Sequence, residues 1–245
     1  ANKANEGIYS ASRESLALTP ERPDGTLELT YRSPSGTEIS KIFHFKHGSY
    51  LFDVEVRWRG AEPDNNEISI VWGPGITTEG REDDYYATTG PVTYRGGKLV
   101  FPDEDDLEEG KPVLQEGDIQ WTSLQSKYFM AALIPRGAFA GAAIRDDKGM
   151  LVGLRYRGGP SGGGKLSLFA GPKDERVLKE HEASLTEAID LGYFSFLAKP
   201  LLVALRFFYG LTNSYGLAII LVTLAIKILF YPLTQKSTRS MKAMQ

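Results

Sequence analysis

The chain has no cysteine among its 245 residues. That excludes a disulfide framework, a thiol nucleophile and thiolate metal ligation. A domain of this size does not need disulfides, because its core is large enough without them. Histidine is scarce: His44, His47 and His181 are the three present. On a strand, the three-residue spacing of His44 and His47 sends them to opposite faces, so they cannot share a metal. His181 falls on a charged helical stretch, and spacing alone identifies no Ser-His-Asp set or paired carboxylates. Acidic residues are missing from residues 191–245, which carry six cations: Lys199, Arg206, Lys227, Lys236, Arg239 and Lys242. All 31 acids lie in residues 1–190, which have a net charge of −9 against +6 for the tail. An acidic domain without a basic stripe excludes nucleic acid as a partner. An apolar run of membrane length is also missing before residue 193.

The long apolar run that does occur is Tyr215–Leu233, YGLAIILVTLAIKILFYPL. At about 1.5 Å per residue it reaches roughly 27 Å, close to a hydrocarbon core of about 30 Å, and it reads as a transmembrane helix. Its one charge is Lys227, and Thr223 lies four residues earlier on the same helical face. A charge at this depth costs about 2.5–3.5 kcal/mol on insertion scales. Either it turns toward a polar groove in the protein, or it snorkels to the nearer interface. The flank Lys236, Arg239 and Lys242 favours the cytoplasmic side and puts the acidic domain outside the cytoplasm. The chain opens ANKANEGIYS, without Met or an apolar signal, so an upstream signal or anchor is expected. STRSMKAMQ carries no helix stop signal, so more chain is expected there too.

Residues 1–172 are patterned as strands. Leu51–Arg59 alternates strongly, with Phe52, Val54, Val56 and Trp58 on one side and Asp53, Glu55, Arg57 and Arg59 on the other. Further strands are predicted at Thr26–Arg32, Ile39–Lys46, Glu67–Trp72, Tyr85–Thr89, Lys98–Phe101, Lys127–Ile134, Phe139–Arg145, Met150–Arg157 and Lys165–Ala170. Many short strands separated by Gly, Pro, Asn and Asp clusters predict a mainly β fold, an antiparallel β-sandwich. Lys173–Leu191 has neither Gly nor Pro and a loose apolar stripe, which predicts a helix packed on the sheet or leading from it. Tyr193–Leu211 is almost wholly apolar, but Ser195, Lys199, Arg206 and Asn213 share one stripe. This predicts a helix lying in the membrane interface, with Lys199 and Arg206 toward water and Leu202, Phe207 and Phe208 toward lipid. Pro200 fits the first turn of that helix better than its middle.

Two motifs fail on inspection. Gly159-Pro-Ser-Gly-Gly-Gly164-Lys165 approaches a phosphate-binding loop, but Leu166 stands where Ser or Thr is required and a strand follows instead of a helix. A hairpin loop is the expected structure. The acids of 103–109 lack EF-hand spacing and its Gly, so a solvated loop is expected.

The C-terminal third resembles the YidC membrane protein insertase family. The matching residues are Asp190-Leu-Gly-Tyr-Phe-Ser-Phe-Leu-Ala-Lys-Pro-Leu, Asn213-Ser-Tyr-Gly-Leu-Ala-Ile-Ile-Leu-Val-Thr-Leu-Ala-Ile-Lys227, Tyr231-Pro-Leu-Thr-Gln-Lys236 and Ser240-Met-Lys-Ala-Met244. Upstream, Tyr128-Phe-Met-Ala-Ala-Leu-Ile-Pro135 and Gly171-Pro-Lys resemble the end of the family's large periplasmic domain and its join to a helix. The resemblance is densest over 190–245, thinner over 117–190 and slight before that. It implies a bacterial inner-membrane insertase and chaperone, without a cofactor, that acts alone or with the Sec translocon on nascent membrane proteins in the lipid bilayer. It also implies a sandwich related in shape to sugar-binding and aldose-epimerase domains. The implied divisions are a periplasmic β domain over 1–172, its linking helix over 173–191, an interfacial helix over 192–212, a transmembrane helix over 213–234 and the start of a cytoplasmic loop over 235–245. In the family a polar groove among five helices usually carries an arginine. Lys227 takes that place here, keeping the charge but losing the planar fork. The rival reading is a membrane-anchored sugar-binding or epimerase-like domain, which requires a His and a carboxylate converging on a sugar-sized pocket.

Overall fold

The computed structural model describes residues 7–60, 67–74, 90–103, 107, 111–146, 149–189 and 195–243. The chain divides into two compact units, 1–189 and 190–245.

In the first unit, alternating sequences become long antiparallel strands: β2 (Asp24–Arg32), β3 (Glu38–Lys46) and β4 (Leu51–Arg59). The short β1 (Ser10–Ala11) pairs with β2 at one edge. Next come β5 (Glu67–Trp72), β6 (Gly90–Arg95), β7 (Lys98–Val100), β8 (Val113–Gln115) and β9 (Ile119–Gln125). The β series closes with β10 (Phe129–Arg136), β11 (Gly141–Asp146), β12 (Met150–Arg157) and β13 (Ser161–Pro172). Among the described residues they make a nine-stranded sheet, β1-β2-β3-β4-β13-β10-β9-β6-β7, and a four-stranded sheet, β5-β12-β11-β8. Every pairing is antiparallel.

Two apolar clusters hold the unit together. The first lies between the sheets and joins Val54, Val56 and Trp58 to Ile144, Val152, Leu154 and Tyr156. Tyr156 donates its hydroxyl to Lys165 O at 2.7 Å, and burial pushes its ionisation well above the ordinary tyrosine range. The second cluster lies on the opposite face of the large sheet. Met130, Ala132, Ile134 and Phe169 pack there under Leu178, Leu185 and Ala188. β10 therefore feeds both cores: Leu133 points between the sheets while its neighbours Ala132 and Ile134 point away. A bulge makes β9 switch faces along its length. Tyr94 pairs with Trp121 but Arg95 pairs with Ile119, leaving Gln120 as the extra residue. Ile119 and Trp121 consequently face different clusters.

The lid over the second cluster is α1 (Glu175–His181) followed by a 3₁₀ helix, Ala183–Ala188. The single helix predicted over 173–191 is broken at Glu182, where the backbone is extended at φ −156°. Tertiary packing overrides propensity here. Leu178, Leu185 and Ala188 must all reach the sheet, and Glu182 leaves the helix to pair with Arg136 at 3.1 Å. Thr186 donates to Ala183 O at 2.7 Å, the local bonding that competes with an α-helix. Two more bonds tie the lid down. Trp121 donates its indole N–H to Ser184 O at 3.1 Å, and Tyr50 donates its backbone N–H to His181 Nε2 at 3.1 Å.

The glycine run expected to form a hairpin loop is part of β13 instead. A side chain at Gly158 or Gly162 would stand 2.5 or 2.6 Å from the Trp58 ring, and one at Gly164 would stand 2.9 Å from Tyr156. The glycines let two buried aromatic rings lie flat on backbone, and the Trp58 indole N–H reaches Gly159 O at 3.2 Å. The predicted strand Tyr85–Thr89 and most of the 103–109 acidic stretch lie outside the described residues.

Candidate functional site

The second unit is a helix pair. α2 (Ser195–Thr212) contains Pro200 as its sixth residue, inside the helix and not in its first turn. It ends at Asn213, the one described non-glycine residue with positive φ, 51°. The Asn213 N–H closes on Tyr209 O at 2.8 Å, and the Thr212 hydroxyl on Phe208 O at 2.9 Å. This is a left-handed cap, with asparagine in the place glycine usually takes. Asn213 therefore stops the helix instead of extending its polar stripe. Ser214 starts α3 (Tyr215–Ala243) by accepting Ala218 N–H on its carbonyl at 3.0 Å. The Tyr209 and Tyr215 rings stack across the joint with centroids 4.1 Å apart.

Among the described residues α3 is the one helix long and apolar enough to cross a membrane, over Tyr215–Pro232. Ala218 is its only buried residue in that window, and Ile219, Ile220, Leu224 and Ile228 are exposed. The helix does not stop near Leu233. It runs through Pro232 to Ala243, because the sequence beyond the proline has no further Gly or Pro.

Thr223 and Lys227 sit one turn apart on α3, both exposed. The Thr223 hydroxyl donates to Ile219 O at 2.8 Å, so its proton is used locally and the oxygen keeps its acceptor capacity. Thr223 also lines a cavity of about 450 Å³ between α2 and α3, with Ala198, Leu202 and Leu205 on one wall and Ile219 and Ile226 on the other. Lys227 is not among the residues lining it. The helix pair thus supplies one polar edge, Thr223 and Lys227, beside an otherwise apolar cleft. Arg206 and Phe207 are exposed on α2 while Phe208 is half-buried, and the two phenyl rings meet edge to face at 5.4 Å. Phe208 therefore shares in helix packing. Lys199 lies in α2, and Lys236, Arg239 and Lys242 in the last turns of α3; their side chains lie outside the described residues.

The β unit holds a second concave feature that spacing did not reveal. His44, Asp53, Glu55, Arg136, Lys165 and Ser167 line an open groove of about 530 Å³ on the large sheet. Strand register, not sequence, assembles it: His44 opposes Asp53, Asp53 opposes Ser167, and Lys165 opposes both Glu55 and Arg136. So a histidine does converge with carboxylates, but the charges are engaged with one another. Ser167 donates to Asp53 and accepts from Arg136 Nε at 2.8 Å. Glu55 takes Arg57 at 2.8 Å and Lys165 at 3.8 Å. The Arg57 hydrogen bond, against the opposing effect of burial, holds the Glu55 carboxyl below its ordinary range. The other histidines point elsewhere: His47 Nδ1 lies 3.2 Å from Leu18 O, and His181 belongs to the lid.

Comparison with known proteins places this architecture. The family model described as YidC periplasmic domain matches residues 1–204, and that described as 60Kd inner membrane protein matches residues 207–245. A membrane protein insertase YidC of Syntrophus aciditrophicus is 36% identical over 97% of this chain and 45% of its own length. That of Geotalea daltonii is 36% identical over 96% of this chain and 46% of its own length. The chain spans about half the length of the curated relatives it matches. Among solved structures, an active YidC insertase with its first transmembrane domain resolved aligns over 98% of this chain and 49% of its own, at 15% identity and TM-score 0.30. The GH36 α-galactosidase AgaB of Geobacillus stearothermophilus aligns over 73% of this chain and 29% of its own, at 9% identity and TM-score 0.42. The structural scores are too low to carry an argument, whereas the sequence matches run from end to end: the chain belongs to the YidC family of membrane protein insertases.

Proposed function

We propose that this chain is the periplasmic domain and first part of the membrane core of a bacterial inner-membrane insertase. The observation that carries the reading is its match to named insertases over 97% of its length. The β unit lies on the periplasmic side, α2 lies in the outer interface with Lys199 and Arg206 near phosphates, and α3 crosses toward the cytoplasm. The work is binding, not bond-making, so no catalytic residue and no cofactor is assigned. Thr223 and Lys227 form part of a polar, hydrated groove that receives the translocated segment of a nascent membrane protein. A cation in that groove lowers the cost of bringing an acidic segment below the headgroups, and the apolar segment then partitions into lipid. Components of the Sec translocon are the partners expected for substrates with large soluble regions.

The test is insertion of a single-span substrate with an acidic tail into vesicles containing the longer protein. Lys227→Arg should keep activity, because charge is retained. Lys227→Ala should impair it, and Lys227→Glu more so. A snorkelling lysine predicts the reverse for alanine, harmless or stabilising, since a buried charge has gone. Full activity of the Ala and Glu variants on acidic substrates would remove Lys227 from the mechanism.

A further inference from the structure

One rim of the large sheet differs from the rest of the acidic β unit. β4 begins there, β9 turns into β10, and β13 ends. Tyr128 and Phe129 stand 66% and 55% exposed in the β9–β10 turn, and Tyr50, just before β4, is 46% exposed. The fold brings these together. Phe129 pairs with Pro172, the Lys173 N–H donates to Tyr128 O at 2.8 Å, and Tyr50 lies against Gly171. Lysines are interleaved with the rings: Lys127 Nζ lies 5.6 Å from the centre of the Tyr128 ring, and Lys173 follows Pro172. Lys46 ends β3, and His47 follows it in the adjoining β3–β4 turn. Among the described residues, acids at this rim include Asp24, opposite Lys46, and Asp174 and Glu175 at the start of α1. The Asp174 carboxylate is occupied in capping α1 through Arg176 N and Val177 N.

From this juxtaposition we infer that the rim is a membrane-docking surface. The rings of Tyr50, Tyr128 and Phe129 seat at headgroup depth, and Lys127 and Lys173 contact anionic lipid phosphates. Exposed aromatics mixed with cations are what an interfacial site requires, since the rings are amphipathic and the charges meet a negative surface. Three rings and two lysines make a small footprint, far short of the roughly 20–30 residues a side of a stable protein interface. A small footprint suffices here because the β unit is tethered to the membrane by its own chain, which raises the effective concentration of lipid at the rim. The inference rests on the reading of α3 as a membrane helix.

The absence of cysteine makes the test direct. Single cysteines carry a fluorophore in the whole chain reconstituted into vesicles containing one anionic phospholipid or only zwitterionic lipid. Arg176→Cys reports on the rim and leaves all three rings in place; its side chain is 92% exposed. Ser35→Cys reports on the opposite rim, and Leu224→Cys on the membrane helix. Headgroup-attached nitroxides should quench the rim probe at least twofold more than the Ser35 probe, in anionic vesicles only. Molar salt should cut that excess by half or more, because the screening length falls to about 3 Å. Lys127→Glu with Lys173→Glu, or Tyr128→Ser with Phe129→Ser, should do the same. Failure of acyl-chain nitroxides to quench the Leu224 probe would overturn the membrane-helix reading itself. With that probe quenched, equal quenching at both rims would overturn the docking inference alone. So would a rim probe shielded from aqueous iodide in native membranes but not in pure lipid, which would assign the rim to a protein partner.

Discussion

Trp58 shows how single residues decide the core. Its ring lies on Gly158 and Gly162, where a Cβ would approach to 2.5 and 2.6 Å, while Gly159 between them has nothing within 4 Å. Gly162→Ala should therefore lower stability by about 1–3 kcal/mol through overpacking. Gly159→Ala should stay within about 0.5 kcal/mol of the parent. Urea midpoints of the two variants check the contrast, and equal midpoints would mean the ring moves freely. Glu55 makes a pH statement. Its carboxyl is held below the ordinary range when folded, so the stability it contributes is present above the unfolded-state pKa and is lost as pH falls through the folded one. The stability difference between parent and Glu55→Gln should be constant near neutrality and shrink in acid. The glycines were visible in the sequence, but their purpose was not, because Trp58 is a hundred residues from the backbone it rests on.

Elements were legible where one face is wet. β4 alternates, and its limits match the sequence reading residue for residue, as do those of β5; β12 matches too although Val152 to Tyr156 are buried on both faces, because Gly149 before it and Gly158 and Gly159 after it punctuate the run. β9 was missed. Its residues are buried on both faces except Gln120, so no alternation survives, and the bulge at that residue breaks what period remains. β6 opens on Gly-Pro and reads as a turn. The polar groove of Asp53, Ser167 and Arg136 was illegible for a different reason: strand order β4-β13-β10 brings those residues together, and no local pattern encodes strand order. Thr223 and Lys227 could be read as a shared helix face, whereas the cleft beside them depends on α2 packing back along α3. The lid offers a clean test at this scale. Asp174 accepts two backbone N–H groups at the start of α1. Asp174→Ala should cost about 1 kcal/mol and Asp174→Ser much less, read as shifts in thermal midpoint. No difference between the two would mean the cap contributes nothing.

At the scale of the whole molecule, the β unit reaches past its last strand. Leu178, Leu185 and Ala188 are as fully buried as the strands they cover. A chain ended after Ile189 should fold cooperatively with a β-dominated circular dichroism spectrum. One ended after Pro172 should uncover Trp121, Met130 and Phe169 and bind a hydrophobic dye. If both unfold alike, the lid is not part of the core. The helix pair obeys a different mechanics. α3 has 29 residues, about 43 Å of rod, but only the 18 residues to Pro232 are apolar enough for lipid, about 27 Å. Pro232 has no N–H to give to Ile228 O, so the rod is weakest in bending where its apolar part ends. The consequence is a built-in hinge: the missing hydrogen bond falls between the apolar rod that holds Thr223 and Lys227 and the basic rod of Lys236, Arg239 and Lys242, so a bend there leaves either rod intact.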